Sequence, residues 1–212
     1  MTNWPTKKLE EICEINPNFK NDISSDSEVG FLTMADVSEN AEINNIQKRK
    51  LSEVKKGFTN FINGDILVAK ITPCFENGKG AFVEEMPSGI GFGSTEFHVL
   101  RANKNLLLDK YLYYFVNNKS FRSKNASFMT GSAGQRRIST DFLKKVKILL
   151  PPLATQKQIV ERLDKIAEAQ KLNDELIEKT DELFQSLLHK ELNPAGKDWE
   201  VKKLSETGDI IT

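Results

Sequence analysis

Cysteine is scarce in this chain: Cys13 and Cys74 stand 61 positions apart, with no CxxC pair and no histidine beside either. Disulfide scaffolds and structural zinc sites need more ligands at closer spacing, so neither is supported and no metal is expected. The two sulfurs read as reduced thiols of a cytoplasmic protein. No apolar run approaches the roughly 20 residues that cross a bilayer, and the opening Met-Thr-Asn-Trp-Pro-Thr-Lys-Lys has no signal core. The expectation is a cytoplasmic protein with no membrane partner. Net charge is lacking too, because 30 Lys and Arg balance 30 Asp and Glu. A global field therefore does not nominate a nucleic-acid binder, and the distribution of charge has to decide.

What is present fits a soluble globular protein. The 212 residues are 39% hydrophobic and 28% charged, enough for one large or two small domains with a real core. Thirteen Phe, against three Tyr and two Trp, point to aromatic packing inside it.

The chain also echoes itself. Trp4, Lys7, Lys8, Leu9 and Glu11 return as Trp199, Lys202, Lys203, Leu204 and Glu206, five identities in eight positions at an offset of 195 residues, and Ile15 and Ile210 continue the register. Such a repeat redefines the folding unit, here about 195 residues, with residues 193–212 as a linker and the stub of a second copy.

Within the unit, residues 1–150 read as mixed α/β. Gly64-Asp65 opens an apolar run over 66–71 that ends at Thr72-Pro73 and suits a buried strand. Residues 80–84 and 95–100 are shorter strand candidates, separated by a Gly-rich turn over 88–94. Apolar spacing at Leu108, Leu112 and Phe115 predicts a helix over 106–117, and 146–150 is a last strand stopped by Pro151-Pro152.

The periodicity then changes. Residues 153–191 contain no Gly or Pro, and a heptad seam runs through Ile159, Leu163 and Ile166, then Ile177, Phe184 and Leu187, with Gln170, Asn173 and Thr180 at its polar positions. A helix over this stretch would be about 58 Å long at 1.5 Å per residue. An apolar seam cannot stay wet, so a second helix must cover it. The fold class is therefore α+β: a mixed α/β domain over 1–150, then a long coiled-coil-like α-helix over 151–192.

The segment from Pro151-Pro152-Leu153 through Gln156, Gln158-Ile159-Val160 and Leu163-Asp164 resembles the opening of the conserved helix in type I restriction-modification specificity subunits. The Trp-x-x-Lys-Lys-Leu-x-Glu opening is similar to the start of each recognition domain in that family. Gly64-Asp65-Ile66-Leu67 and Gly93-Ser94-Thr95-Glu96-Phe97 are similar to weaker internal signatures. The resemblance implies a target-recognition domain that reads half of a split double-stranded DNA sequence in the major groove. It implies a long helix that spaces two domains and recruits modification (methyltransferase) subunits, and through them the restriction subunit. A complete subunit of the family has two domains and two helices, whereas this chain has one of each. The expectation is a half-length subunit that pairs antiparallel with a second copy, or a fragment.

Residues 119–147 carry Lys119, Arg122, Lys124, Arg136, Arg137, Lys144, Lys145 and Lys147 against Asp141 alone, eight minus one or +7. Such clustering suits a polyanion. At its centre lie Thr130, Gly131, Ser132, Gly134, Gln135, Arg136 and Arg137, where small residues let backbone approach phosphate. Gln and Arg side chains can bond adenine and guanine edges. Lys70, Thr72 and Lys79 mark a second candidate DNA loop around Glu76-Asn77-Gly78, with an ordinary polar connection as the competing reading. Lys48-Arg49-Lys50 with Lys55 and Lys56 reads as a solvated face.

Several motifs are set aside. Asn16-Pro17-Asn18-Phe19 lacks the second proline of an adenine methyltransferase motif, and Gly89-Ile-Gly91-Phe-Gly93 reads as a hairpin or turn rather than a cofactor loop. Asp36 with Glu53-Val54-Lys55 fits a loose metal-nuclease pattern that arises by chance in so charged a chain. His98 and His189 have no nucleophile partner and read as structural. The expectation is a non-catalytic chain without a cofactor; the rival is a coiled-coil adaptor that recruits a protein and has lost DNA binding.

Overall fold

The run that follows Gly64-Asp65 is the strand around which the first unit is built. In the computed structural model, which describes residues 4–20, 23–132, 134–193, 195–199, 202–203 and 206, the chain divides into two units, Met1–Leu163 and Asp164–Thr212. Leu204 and Ile210 of the echo lie outside the described residues.

Gly64 turns the chain at φ 92°, and the buried Asp65 carboxylate accepts from the Ile62 amide at 2.8 Å and from Arg101 Nε and Nη2 at 2.8 and 2.7 Å. That ion pair fixes where the strand Ile66–Ala69 begins. Ile66 and Val68 face one hydrophobic cluster and Leu67 the other, as the two-residue period of a strand requires. All four residues are buried because both faces are covered, which is why the sequence reads as continuous apolar rather than alternating.

Among the described residues there are ten strands, this hub included, in chain order: β1 (Thr6–Lys8), β2 (Cys13–Ile15), β3 (Glu28–Leu32), β4 (Gln47–Lys50), β5 (Thr59–Ile62), β6 (Ile66–Ala69, the hub), β7 (Gly80–Phe82), β8 (Ile90–Gly93), β9 (Phe97–Ala102) and β10 (Lys147–Leu149). One antiparallel sheet runs β2-β9-β6-β7, a second runs β4-β3-β8-β5 with β3 and β8 parallel, and β1 pairs with β10. Between the two larger sheets lies a core that includes Leu32, Phe61, Leu67, Phe97 and Val99. The helices α1 (Leu9–Ile12), α3 (Asp109–Asn117), α4 (Lys119–Ala126) and α5 (Thr140–Lys145) contribute to the cluster on the other side of the first sheet. The short helix α2 (Leu51–Val54) joins Val29, Phe31, Ile90 and Phe92 in a third cluster.

The Gly-rich segment expected as a turn over 88–94 holds strand β8, inside the second sheet. Its glycines serve packing: a Cβ on Gly91 would overlap the Phe61 ring, and one on Gly93 would meet the Leu32 carbonyl. A strand that must let a neighbouring ring and backbone approach this closely sheds its side chains and so looks like a loop in sequence. The helix expected from 106 starts at Asp109, because Leu106 and Leu107 turn back onto the Asn103 carbonyl and Leu108 is extended.

The helix α6 (Leu153–Leu192) runs unbroken for 40 residues. Its residues up to Leu163 belong to the first unit. There the fully buried Gln156 accepts from the Leu108 amide at 2.9 Å and donates to the Leu106 and Pro151 carbonyls at 2.9 and 2.8 Å. From Asp164 onward α6 forms the body of the second unit.

Candidate nucleic-acid interface

Strand β6 delivers the chain to Lys70, and from there two loops that are distant in sequence meet. The Thr72 amide donates to the Arg136 carbonyl at 2.9 Å and the Ile138 amide to the Lys70 carbonyl at 3.0 Å, with Ile71 bridging Arg137. Thr130 and Arg137 exchange both backbone bonds, at 3.0 and 2.8 Å. Segments 70–72, 136–138 and Thr130 therefore form a narrow three-part ladder. It carries two turns, one over 72–79 and one over 130–137.

The 130–137 turn is held by the Gln135 amide on the Ser132 carbonyl at 3.0 Å, with Gly131 at φ 129° and Gly134 at φ 79°. A side chain at Gly131 would press on the Gln135 carbonyl, so the sharp bend needs glycine. Thr130, Ser132, Gln135 and Arg137 are exposed and Arg136 is half-buried. Ala133 lies outside the described residues.

Among the described residues the structure places the other expected contacts as follows. Lys70 donates to the Thr95 carbonyl at 2.7 Å, and burial lowers its ammonium pKa from the ordinary value. The Thr72 hydroxyl donates inward to Glu76 Oε1 at 2.8 Å, and Lys79 donates to the Met34 carbonyl at 3.2 Å. Arg136 lies 3.6 Å from Glu76, and Arg137 grips the Glu96 carboxylate through Nε and Nη2, the latter at 2.8 Å. Those Arg137 bonds hold the Glu96 carboxyl below its usual range.

Glu76 and Glu96 stand in segments singled out from sequence, but their pairing with Arg136 and Arg137 was not foreseen. Counting charge along residues 119–147 finds only Asp141, because Glu76 and Glu96 arrive from 60 and 41 positions upstream of their arginines. No local signal marks the pairing itself.

The basic run does not act as one patch, and Lys144 pairs with Asp141 inside it at 3.7 Å. Arg122 is 1% exposed and does not face a polyanion. Its Nε donates to the Val116 carbonyl at 2.7 Å, Nη1 to the Phe75 carbonyl at 3.3 Å and Nη2 to Asn117 Oδ1 at 2.7 Å, and burial pulls its pKa down to about 10. Lys124, Lys145 and Lys147 line a separate aromatic cleft with Phe115, Phe121, Phe128 and Phe142. Only Arg136 and Arg137 reach the ladder. On the second sheet, Lys48 and Lys50 pair with Glu28 and Asp26, as a solvated face would, while Arg49 covers the Phe31 ring.

Along α6, Ile159 and Leu163 are half-buried, whereas Ile166, Ile177, Phe184 and Leu187 are exposed. Leu172, Leu176, Leu183, Leu188 and Leu192 are exposed as well, which widens the apolar face beyond the heptad seam. No helix among the described residues is long and apolar enough to cross a membrane, and no cluster of three or more His, Cys, Asp or Glu among them suits a metal ion.

Comparison with known proteins agrees with this architecture. The family model described as the type I restriction modification DNA specificity domain matches residues 1–180. The type I restriction enzyme EcoAI specificity subunit of Escherichia coli is 41% identical over 165 residues, which cover 77% of this chain and 28% of that protein. The EcoEI specificity subunit of Escherichia coli is 38% identical over 165 residues, 77% of this chain and 27% of that protein. Among solved structures, the crystal structure of the HsdS subunit from Thermoanaerobacter tengcongensis superposes with a TM-score of 0.64 at 21% identity, covering 94% of this chain and 52% of that one. A chain from a structure of type I R-M system assembly and conformational transition gives a TM-score of 0.67, also at 21% identity, over 94% of this chain and 52% of that one. This chain thus matches just over a quarter of the length of these two curated relatives and about half of these two solved chains.

Proposed function

This chain belongs to the type I restriction-modification DNA specificity family, and on that premise we propose that it is a non-catalytic, sequence-reading component of a type I complex. Residues 1–150 act as a target-recognition domain that reads one half of a bipartite site in double-stranded DNA. The helix α6 recruits modification (methyltransferase) subunits, and through them the restriction subunit. Two copies pair antiparallel through this helix, so that their domains face opposite ways along the duplex and read a symmetric site. The working compartment is the cytoplasm.

The observation that carries the reading is the ladder that joins 70–72 to 136–138. It brings Lys70 and Arg136 together with the exposed turn that carries Ser132 and Gln135, where small residues allow backbone to approach a phosphate. The test is duplex binding by the full chain across a salt series. A DNA reader loses affinity steeply and linearly on a log–log plot, and replacing Lys70 and Arg136 with Ala flattens the slope by about one per lost phosphate contact. A flat salt response from the intact chain rejects the reading in favour of an adaptor.

A further inference from the structure

Arg137 stands apart from the other cations of the ladder because its fork is partly occupied in a defined way. A guanidinium offers five N–H donors in one plane. Here Nε and one Nη2 proton meet the Glu96 carboxylate, and one Nη1 proton meets the Gln135 carbonyl at 3.1 Å. Two donors remain, one on each terminal nitrogen, on a side chain that is 45% exposed. The backbone of Arg137 is fixed at both sides by its bridges to Ile71 and Thr130, so the fork is anchored at its root as well as at its carboxylate.

Charge decides what those donors suit. Glu96 offsets the charge of Arg137 directly, while Lys70, which also feels Glu96, leaves the group of three with one net positive charge. At the free donors of Arg137 itself a phosphate still meets the bound carboxylate as well as the guanidinium. A neutral acceptor pair meets no such opposition. Of the four base edges in the major groove only guanine presents two adjacent acceptors, O6 and N7; adenine offers one acceptor beside a donor, cytosine a donor, and thymine a single oxygen beside a methyl. The remaining Nη1 and Nη2 donors, on a guanidinium already paired with a carboxylate, match the two acceptors of guanine and do not match the acceptor–donor edge of adenine.

The geometry points to Arg137 as the reader of a guanine in the target half-site, with Glu96 as the positioning residue that presents its fork. This rests on the DNA-recognition reading and deepens it by naming the base. Arg136 differs in kind: its contact with Glu76 is 3.6 Å and not bidentate, so it keeps the freedom suited to a phosphate.

The test uses the full chain, purified with whatever subunits it assembles with, and a randomised duplex pool from which bound molecules are sequenced. The native chain selects a site that contains a guanine. Arg137→Lys keeps the charge but removes the fork, and selection at one G·C pair falls by about 5- to 150-fold while the salt slope stays unchanged. Glu96→Gln relaxes the same position, with overall affinity equal or raised because an anion has left the DNA face. A merely structural Glu96 would instead weaken binding to every sequence alike. The proposal is overturned if Arg137→Lys leaves every position as selective as before. It is overturned equally if Arg137→Ala weakens all duplexes uniformly and lowers the salt slope by about one, the mark of a phosphate contact. Absence of any salt-dependent binding by the native chain defeats the DNA reading itself, and is seen before a variant is made. Thermal melting of both variants keeps loss of fold distinct from loss of reading.

Discussion

Arg122 donates Nη1 to the carbonyl of Phe75 at 3.3 Å and lies 5.0 Å from the centre of the same residue's ring. One buried cation thereby ties the α3–α4 junction to the turn over 72–79. Burying a guanidinium costs free energy unless its donors are met, and here three acceptors meet them. The residue that looked in sequence like part of a DNA-facing patch is a strut beneath one of the two loops.

Arg122→Met is therefore expected to lower unfolding stability by about 3 kcal/mol, since the Val116 and Phe75 carbonyls lose a charged donor inside the core. Arg122→Lys restores little, because one ammonium cannot span three separated acceptors. Urea denaturation measures both. Unchanged stability in the Met variant, together with a shallower salt slope for duplex binding, would return Arg122 to the DNA face.

The parts of the fold legible in sequence were those whose pattern and function coincide. Strand β6 announces itself because burial on both faces demands the unbroken apolar run Ile66–Ala69 just after Gly64-Asp65, and α6 does so because 40 residues keep helical spacing without a breaker. Strand β8 was hidden because its glycines answer to Phe61 and Leu32, partners that only the folded chain supplies. The site was half legible for the same reason. The loops over 70–79 and 130–137 each looked basic and turn-like, but their joining through Thr72 and Arg136, and the carboxylates of Glu76 and Glu96, depend on pairings across more than 40 positions. Gln156 was legible as part of a motif and not as a device, since two of its three bonds reach back to Leu106 and Leu108 and only the one to Pro151 is local.

His98 gives the ladder a pH dependence. It is 2% exposed, its Nε2 bonds the Ile138 carbonyl at 2.9 Å and its Nδ1 meets Asn16 Nδ2 at 3.2 Å, so the ring is a neutral donor at one end and acceptor at the other. Burial pulls its pKa down to about 4 from an ordinary 6.5. The unfolded chain thus binds the proton more readily, and stability present above about pH 6.5 is lost as pH falls toward 4. The difference corresponds to about 3 kcal/mol over that window. Urea midpoints at pH 7 and pH 4.5 should fall further apart in the native chain than in His98→Gln, which cannot titrate. Equal pH dependence in the two would show that other groups carry it.

The exposed face of α6 should separate folding from assembly. Ile177 and Phe184 are 54% and 60% exposed within the second unit, so replacing both with Ser removes almost no buried surface from the single chain. Folded stability of unit Met1–Leu163 should stay within about 0.5 kcal/mol of the native value, the range for surface changes away from special features. The same two positions stand on the heptad seam, and a helix pair held there loses two apolar knobs from each partner, four in all. Sedimentation at micromolar concentration should therefore show the native chain as a dimer and the double variant as a monomer, with the melting transition of the native chain, but not of the variant, depending on protein concentration. Leu176→Ser with Leu183→Ser serves as the contrast, because both lie off the seam and a two-helix pair does not need them. A native chain that sediments as a monomer would sink the paired-copy form and leave the seam to a helix from another protein.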